Sequence, residues 1–440
     1  MGAAGDFLYS LRPTGEGGYV AAGFSSRNDP NGDFYVAKVS ANGSPEWDFI
    51  KNLGGIDALE SVQQTLDGGY VACGYTTSFN GEYGAYMVKL NSSGAEVWNQ
   101  SSWGTSDITW DRVIQAGDGG YAAAGQISPH NSPIITPMLF KFYPNGTQEW
   151  NRSFVQNDNN IWGRGIALSN DGGYVMMSGV GGALPGEYDV FLAKTDSSGN
   201  VQWNMTYGLA NDSESLSLIA TGDGGYAFAG SSWPPDFSSE TAWLVKTYPN
   251  GTLEWNRTYH SSGRDFLGSV QQTSDGGYLL SGNSNFSAWV LKTDANGNEI
   301  WHVLEGGGTT NAAGAQDAVQ AADGGYLVLA LTAMFDPNYN SWLFKIVDVP
   351  GSRANFMMRN SLLSTVYLDS ISFRGNAMTF PQPIKFGPGE RRSVSFAIPP
   401  GVCGYKGELV ELDDLTISYT QGMVSGLVQS GAIPLVLRCS

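Results

Sequence analysis

Hydrophobic and polar residues alternate along most of this chain in short segments that turn residues separate. In residues 61–98, the segments SVQQT, YVACGYT, AYMVKL and AEVW are separated by the turn LDGG, a longer connection and the turn NSSG. Alternation with a period of two is typical of β-strands, and Asp-Gly and Asn-rich turns favour hairpins. The pattern predicts a four-stranded antiparallel unit in which alanine and glycine allow the strands to pack closely.

This unit recurs along the chain. The motif Gly-Gly-Tyr places tyrosines at Tyr19, Tyr70, Tyr121, Tyr174, Tyr226, Tyr278 and Tyr326. Each tyrosine is followed by an apolar strand that ends in lysine, at Lys38, Lys89, Lys141, Lys194, Lys246, Lys292 and Lys345. Nine residues after the first six lysines stand Trp47, Trp98, Trp150, Trp203, Trp255 and Trp301. Several short strands in each period of 48–53 residues predict a β-propeller.

We therefore predict an all-β protein, in which a seven-bladed β-propeller at residues 6–359 precedes a small C-terminal β-sandwich at residues 360–440. The predicted blades are approximately residues 6–55, 56–106, 107–159, 160–211, 212–263, 264–311 and 312–359. The segment ANFMMRN, which begins at Ala354 in place of a tryptophan, is a candidate seventh outer strand. The ring is then closed either by packing complete first and last blades together, without an exchanged strand, or with the help of residues upstream of this chain.

A lysine in an apolar strand needs a partner, because burial of an unpaired charge is costly. A residue type that recurs in every blade also favours a structural role over catalysis. We predict that the repeat lysines pair with the turn acids Glu16, Asp67, Asp118, Asp171, Asp223, Asp275 and Asp323. We expect the repeat tryptophans to pack one blade against the next.

The pattern from the turn DGGY through the lysine to the tryptophan resembles DGGY-type propeller repeats of archaeal and bacterial surface and secreted proteins. Its Lys-to-Trp segment is similar to quinoprotein-type repeats. The resemblance covers residues 6–359 and implies the fold, while propellers host enzymes, adhesins and scaffolds alike. The turn TSDGG is also similar to the Asp-box of sialidases, but no set of catalytic arginines, acid and tyrosine is assignable.

After Asn360 the repeat signature ends, and alternating segments continue for about eighty residues. They resemble the Ig-like C-terminal β-domains of archaeal pilin-like surface proteins, which implies a β-sandwich. Cys403 and Cys439 both fall in this segment and form a candidate disulfide, which typically stabilises a domain by about 3–4 kcal/mol. Cys73 lies in a predicted blade strand, where we expect a buried free thiol.

The charge balance argues against a nucleic-acid partner, since the chain has 41 acidic and 23 basic residues and a net charge of −18. No apolar run is long enough to span a bilayer. Ten glycosylation sequons begin at Asn42, Asn91, Asn99, Asn145, Asn151, Asn204, Asn211, Asn250, Asn256 and Asn285. They indicate secretion and glycosylation, or they arise because asparagine suits turns and threonine suits strands. We expect an extracellular or cell-surface protein, with a secretion signal or anchor omitted or removed.

In such a blade the two tight turns share one face of the propeller, and the longer connections share the other, which we call the long-loop face. Its predicted loops are YTTSFNGEYGA, QISPHNSPIITPM, SSWPPDFSSETA and LTAMFDPNYNS. They carry the candidate ligand-binding aromatics Phe79, Tyr83, Trp233, Phe237, Phe335 and Tyr339. The alternative is that these rings cap the ends of the blades.

Signals for catalysis and metal binding are few. His130, His260 and His302 lie in separate units without ligand spacing, which argues against a histidine metal site. Alternating oxygens at Asp29, Asn31 and Asp33, and at Asp294, Asn296 and Asn298, are weak calcium candidates that also suit turns. We predict no catalytic residue and no cofactor other than calcium.

We interpret the chain as an extracellular structural or adhesive surface protein that displays its propeller for recognition. Its expected partners are further copies of itself, in a filament or surface array, other surface proteins, or glycans. The alternative functions are a secreted carbohydrate-binding protein or glycan-active enzyme that uses the long-loop face, and a periplasmic assembly scaffold.

Overall fold

The computed structural model is built from β-strands throughout the part of the chain that it describes. The described residues are 5–41, 43–79, 81–130, 134–154, 163–181, 188–208, 212–233, 240–261, 263–305, 313–322, 324–332, 340–346 and 348–349, and the strands after residue 352. The strands of residues 6–346 form seven separate antiparallel sheets, the blades of a seven-bladed β-propeller. The prediction of an all-β propeller is confirmed.

Blades 1 to 6 have four strands each, in the order of the sequence. Blade 1 has β1 (Asp6–Pro13), β2 (Tyr19–Ser25), β3 (Asp33–Val39) and β4 (Pro45–Lys51). Blade 2 has β5 (Asp57–Gln64), β6 (Tyr70–Phe79), β7 (Glu82–Leu90) and β8 (Glu96–Ser102). Blade 3 has β9 (Ser106–Gln115), β10 (Tyr121–Pro129), β11 (Thr136–Phe142) and β12 (Gln148–Ser153). Blade 4 has β13 (Gly163–Leu168), β14 (Tyr174–Gly181), β15 (Tyr188–Thr195) and β16 (Val201–Tyr207).

Blade 5 has β17 (Asp212–Ala220), β18 (Tyr226–Trp233), β19 (Thr241–Thr247) and β20 (Leu253–Tyr259). Blade 6 has β21 (Asp265–Gln272), β22 (Tyr278–Ser284), β23 (Ser287–Thr293) and β24 (Glu299–Glu305). Blade 7 has β25 (Ala313–Gln320), β26 (Tyr326–Thr332) and β27 (Asn340–Ile346). The first strand of every blade contributes residues to the wall of the central channel, so these seven strands lie innermost.

The two glycines of the Asp-Gly-Gly turn are needed for different reasons, as the turn of blade 2 shows. Gly68 has φ +77°, a conformation that only glycine adopts readily. A Cβ on Gly69 would lie 2.4 Å from both the Lys89 ammonium nitrogen and the Leu90 carbonyl oxygen. The turn therefore needs its second glycine to leave room for the repeat lysine.

The repeat lysines are buried and paired with the turn acids. Their side chains in blades 1 to 6 are at most 4% exposed. Each ammonium lies 2.8–3.2 Å from a turn carboxylate, in the pairs Lys38–Glu16, Lys89–Asp67, Lys141–Asp118, Lys194–Asp171, Lys246–Asp223 and Lys292–Asp275. The predicted pairing is confirmed for these six, while Asp323 of blade 7 lies outside the described residues.

The repeat tryptophans pack against the repeat tyrosines of the next blade. Trp98 of blade 2 meets Tyr121 of blade 3 edge to face, with ring centroids 5.5 Å apart. A Cβ on Gly146 of blade 3 would lie 2.7 Å from the same indole. The equivalent pairs are Trp47–Tyr70, Trp150–Tyr174, Trp203–Tyr226, Trp255–Tyr278 and Trp301–Tyr326. The predicted role in blade packing is confirmed.

The ring closes by packing blade 7 against blade 1. Seven apolar clusters fill the contacts between neighbouring blades, and one of them joins Leu8 and Leu11 to Val319 and Leu329. Among the described residues, no strand is exchanged between these two blades. Apolar burial thus drives closure in the same way as it drives the other blade contacts.

The interpretation of ANFMMRN as the seventh outer strand is wrong. Its residues 354–359 lie in β29 (Arg353–Arg359), which pairs antiparallel with β32 (Arg391–Ala397), so the backbone bonds of this segment go to a strand outside the propeller. Asn360 lies outside the described residues. The remaining strands are β28 (Asp348–Val349), β30 (Val366–Phe373), β31 (Asn376–Phe386), β33 (Leu409–Glu411), β34 (Thr416–Gln421), β35 (Val424–Ser430) and β36 (Val436–Cys439). The Ig-like domain stays a prediction. Within the described ranges, no helix is long and apolar enough to cross a membrane.

Candidate functional site

The central channel is one concave site of the propeller. Its cavity volume is about 160 Å³, and the inner strands of all seven blades contribute to its wall. The polar side chains on this wall include Arg12, Gln63, Arg112, Gln271 and Asp317. Side chains of these types can bind a ligand. The hydrogen bonds that they already make within the protein therefore decide how well the channel can bind one.

The glutamines of the inner strands connect neighbouring blades. Gln63 Oε1 accepts the backbone N–H of Gln115 in blade 3 at 2.9 Å, and the adjacent Gln64 Oε1 accepts that of Gly15 in blade 1 at 2.7 Å. The same two contacts recur at Gln271 and Gln272 of blade 6. The dipeptide Gln-Gln therefore satisfies strand-edge and turn N–H groups on both sides of its blade.

The charged groups of the channel are also engaged with the protein. Arg12 Nη1 lies 2.6 Å from Asp317 Oδ2, and the Asp317 side chain is only 5% exposed. Arg112 Nη1 donates to the carbonyl oxygens of Glu60 and Asp111 at 3.0 and 2.9 Å. These groups hold the ring together, which leaves the long-loop face as the stronger candidate for recognition.

Two of the predicted long loops are largely strand. In YTTSFNGEYGA, β6 continues to Phe79 and β7 begins at Glu82, and Phe79 pairs with Glu82 in the ladder. In QISPHNSPIITPM, β10 continues to Pro129. The expectation of a long loop is wrong for YTTSFNGEYGA, because the ladder of its hairpin extends beyond the body of the blade. In QISPHNSPIITPM the β10–β11 ladder ends at the Ile127–Thr136 pair, and residues 131–133 of the connection lie outside the described residues.

The structure describes three of the six candidate aromatics. Phe79 is half-buried at the tip of β6, Tyr83 is 44% exposed on β7, and Trp233 is half-buried at the end of β18. Phe237, Phe335 and Tyr339 lie outside the described residues. Phe79 and Tyr83 belong to one hairpin of blade 2, whereas Trp233 belongs to blade 5.

Trp103 is a site residue that the sequence reasoning missed. It follows β8 of blade 2, and its ring stacks on Phe79 with centroids 4.9 Å apart and planes 15° apart. Trp103 is 58% exposed, whereas Trp110, Trp243 and Trp289 are buried. Its position outside the Lys-to-Trp spacing is a signal that Trp110, Trp243 and Trp289 share, so the sequence does not single it out. We call Phe79, Tyr83 and Trp103 the aromatic rim.

A histidine and two carboxylates lie beside this rim. The His130 Nε2 atom is 3.5 Å from Asp107 Oδ1 and 3.6 Å from Glu82 Oε2. Asp107 Oδ1 also accepts the backbone N–H of Tyr83 at 3.0 Å. The three side chains come from two blades and offer one ligand atom each, all within 4.8 Å of one another. Sequence spacing alone does not reveal this group.

The weak calcium candidates are held in turn hydrogen bonds. Asp29 Oδ1 accepts the N–H of Asn31, and Asn52 Nδ2 donates to both Asp29 and Asp33. Burial raises the pKa of Asp33, while hydrogen bonds from Asn31 and Asn52 lower the pKa of Asp29. Calcium at this first group stays a prediction.

The second calcium candidate has its carboxylate oxygens engaged by a turn. Asp294 Oδ1 accepts two backbone N–H groups, from Asn296 at 2.9 Å and from Asn298 at 2.8 Å. Asn298 Nδ2 donates to the other carboxylate oxygen at 2.9 Å. These contacts account for the pattern as turn chemistry.

Sequon asparagines occupy the same turn positions as aspartates in other blades. Asn145 Oδ1 accepts the N–H and the hydroxyl of Thr147, much as Asp196 Oδ1 accepts two N–H groups in blade 4. Seven of the described sequon asparagines are exposed, namely Asn91, Asn99, Asn145, Asn151, Asn204, Asn250 and Asn285. Asn256 is half-buried, and Asn42 and Asn211 lie outside the described residues. Turn chemistry thus explains part of the pattern, and glycosylation stays a prediction.

The expectation of a buried free thiol is confirmed for Cys73. Cys73 is a free buried thiol, and burial raises its pKa well above the usual value. Cys403 lies outside the described residues, and only the backbone of Cys439 is described. Their disulfide stays a prediction.

No family model matches this sequence, and no curated protein matches it. Among solved structures, Sqt1 from Chaetomium thermophilum bound to the N-terminus of ribosomal protein L10 aligns at 13% identity and TM-score 0.45, over 74% of this chain and 84% of that one. The polysaccharide lyase Uly1 aligns at 10% identity and TM-score 0.46, over 74% and 86%. A Lactobacillus plantarum protein aligns at 12% identity and TM-score 0.49, over 85% and 98%. Similarity at this level gives no argument about ligand or activity.

Proposed function

We propose that this protein is an extracellular adhesive protein of the cell surface that binds carbohydrate chains through the aromatic rim of its propeller. The observation that carries the proposal is the stacked pair of Phe79 and Trp103, with Trp103 58% exposed at the edge of blade 2. A group of exposed aromatic rings on the surface of a soluble protein marks an interaction site more often than a single exposed ring does.

The chemistry of the rim suits a sugar. The C–H faces of a pyranose ring are apolar and carry a slight positive charge, which the negative face of an indole or phenol attracts. The Glu82 and Asp107 carboxylates beside the rim can accept hydrogen bonds from sugar hydroxyls, and charge strengthens such bonds. Stacking and carboxylate acceptors together favour a glycan over a purely apolar ligand.

The rim is also rigid enough for recognition. Phe79 ends a strand that pairs with β7, and a Cβ on Gly84 would lie 2.7 Å from the Phe79 ring. The Tyr83 ring contacts Tyr75 with centroids 5.4 Å apart. Aromatic side chains held by a sheet lose little entropy on binding.

The test is glycan binding by the full chain, by variants of Trp103 and Phe79, and by a control variant. Soluble surface polysaccharides and an array of oligosaccharides are screened, and the binders are titrated with native protein, W103A and F79A. We expect each variant to weaken binding by about two- to twelvefold, because one stacked ring contributes about 0.5–1.5 kcal/mol. Y248A is the control, because Tyr248 is 49% exposed on the opposite face, in the tight turn after β19.

Two results would argue against the proposal. Glycan binding that W103A and F79A leave intact would place the site elsewhere. A protein partner that depends on Trp103, with no glycan bound at any concentration, would make the rim a protein interface instead.

The remaining features of the proposal have their own tests. The acidic composition and the sequons support an extracellular location. Mass spectrometry of the protein from its native host tests glycosylation at each sequon asparagine. Assembly into filaments or arrays would depend on residues 360–440, so light scattering across a concentration series tests it separately. A protein that stays monomeric throughout would contradict assembly without affecting the rim.

A further inference from the structure

We propose that Glu82, Asp107 and His130 form a binding site for a divalent transition metal ion of the Zn²⁺ type, which joins blades 2 and 3. An imidazole nitrogen with two carboxylate oxygens is a donor set that suits Zn²⁺ and its neighbours better than Ca²⁺ or Mg²⁺. All three ligand atoms lie within 4.8 Å of one another, so one ion can reach them with small side-chain adjustments.

The strand registers bring the three side chains together. Asp107 pairs with Ser128 in the β9–β10 ladder, and paired residues direct their side chains to the same face. His130 is two residues beyond Ser128, so it shares that face with Asp107. Glu82 opens β7 of blade 2 and approaches from the neighbouring sheet. The site therefore exists only where two blades meet.

The distances between the histidine nitrogen and the two carboxylates fit ligands that surround one metal ion, and they are too long for hydrogen bonds. His130 Nε2 is 3.5 and 3.6 Å from the nearest oxygens of Asp107 and Glu82, beyond the usual range for a hydrogen bond. Donor atoms about 2.0–2.1 Å from a tetrahedral Zn²⁺ lie roughly 3.3 Å from one another. His130 Nε2 is shielded from solvent and has no hydrogen-bond partner. A bound cation would satisfy this nitrogen.

Neighbouring backbone groups orient the ligands. The N–H of Tyr83, next to Glu82 in the chain, donates to Asp107 Oδ1 at 3.0 Å. The N–H of His130 donates to the Thr105 carbonyl oxygen at 3.4 Å. Such outer contacts fix ligand orientation and raise metal affinity.

Three protein ligands leave at least one coordination position for water or for an oxygen of a bound molecule. Because the site adjoins Tyr83, that position lies next to the aromatic rim. The inference does not rest on glycan binding, since metal binding is measured without any sugar.

The experiment titrates the full chain, stripped with EDTA, with Zn²⁺ by calorimetry and with Co²⁺ by visible absorption. We expect one Zn²⁺ site, and a Co²⁺ spectrum with the intensity of a four- or five-coordinate ion. H130A, E82Q and D107N should each weaken Zn²⁺ binding by at least about tenfold. D107N keeps an oxygen that can accept the Tyr83 N–H, so it tests the charge with little disturbance of the fold.

His302 and Glu299 supply the matched control. Their side chains form a histidine–carboxylate pair at 2.7 Å on the outer strand of blade 6. H302A and E299Q should leave Zn²⁺ affinity unchanged. Zinc bound by the cysteines would persist in H130A, and a variant with both Cys403 and Cys439 replaced by serine removes that contribution.

Equal Zn²⁺ affinity in native protein and in H130A, with the two cysteines replaced in both, would overturn the proposal. Absence of Zn²⁺ binding by a native protein whose circular dichroism shows a folded chain would also overturn it. The cluster would then be a contact between a histidine and two carboxylates that binds no metal ion.

Discussion

Asp317 of blade 7 accepts the backbone N–H of Leu11 of blade 1 at 2.9 Å, although 306 residues separate them. The same contact joins earlier blades, where Ser61 Oγ accepts Val113 N–H at 3.4 Å and Ser217 Oγ accepts Val270 N–H at 3.1 Å. At the closing contact, an aspartate thus takes the place of the usual serine. Asp317 also accepts from Ser269 and pairs with Arg12, so it ties blades 6, 7 and 1 together.

The stability of the propeller should therefore be most sensitive to substitutions at the contact between blades 7 and 1, which closes the ring. D317A removes the acceptor for three donors of other blades, and we expect a loss of roughly 2–4 kcal/mol in the free energy of unfolding. S217A, at the equivalent position of blade 5, should cost only about 1 kcal/mol. Urea denaturation followed by circular dichroism measures both. Equal losses would show that the closing contact has no special weight.

The two glycines of the turn in blade 2 should differ in their tolerance of alanine. G68A places a side chain at positive φ in open space, and we expect a cost of roughly 1 kcal/mol. G69A brings a Cβ against Lys89 and the Leu90 carbonyl, and we expect about 3 kcal/mol or more. Thermal melts of the two variants compare them. A larger loss in G68A would contradict the assigned reason for the second glycine.

Substitution of Trp98 should mainly reduce stability, whereas substitution of Trp103 should mainly reduce ligand recognition. Trp98 packs between blades 2 and 3, so W98A should cost roughly 3 kcal/mol in stability. W103A removes an exposed ring and should cost less than about 1 kcal/mol. Chemical denaturation of both variants is the measurement. A W103A loss as large as that of W98A would make Trp103 a packing residue.

Stability should fall in acid through the turn carboxylates. Partial burial acts to raise the pKa of Asp67, but hydrogen bonds from Thr65 and Lys89 outweigh it and lower that pKa to about 2. The hydrogen bond from Lys194 lowers the pKa of Asp171 to about 2 as well. Since an unfolded aspartate has a pKa of about 3.9, their contribution is present above pH 4 and is lost as the pH falls toward 2.

Melting temperatures measured between pH 6 and pH 2 test this pH dependence. We expect a decrease that is concentrated below pH 4, and a D67N variant that is less stable than native protein at pH 6. The difference between the two proteins should shrink toward pH 2, where Asp67 of the folded native protein is about half protonated. A difference that does not change with pH would exclude the Asp67–Lys89 ion pair as its source.

Cys73 should be inert in the folded protein. Its thiol is buried, and burial raises its pKa, so little thiolate is available to react. Peptide mass spectrometry after iodoacetamide treatment should find Cys73 unlabelled in native protein and labelled in denaturant. The same spectra test the predicted disulfide, since Cys403 and Cys439 should be labelled only after reduction. Labelling of native Cys73 would indicate opening of blade 2.

Residues close in sequence made much of the fold predictable. The turn around Gly68 and Gly69 lies within one hairpin, and Lys89 follows in β7, the next strand of the same blade. The pairing of Lys89 with Asp67 therefore follows from the repeat itself. The role of Trp98 also follows, because a residue that recurs at the same position in six blades must meet the same neighbour at each of those blade contacts.

The candidate site was not predictable in the same way. Trp103 lies outside the repeat, and its stacking on Phe79 depends on how far the β6–β7 hairpin extends beyond the blade. Glu82, Asp107 and His130 belong to two blades, and no local spacing relates them. Their meeting depends on the rotation between neighbouring sheets, which sequence periodicity does not encode.

The sequence by itself determined the strands, the turns and the seven-fold repeat, because these depend on interactions between residues at most a few tens of positions apart. Only the tertiary structure decided how the ring closes, through Asp317 and Leu11, and which side chains share the edge of blades 2 and 3. Those contacts form when separate sheets pack their apolar faces together, and packing acts between residues that the chain order leaves far apart.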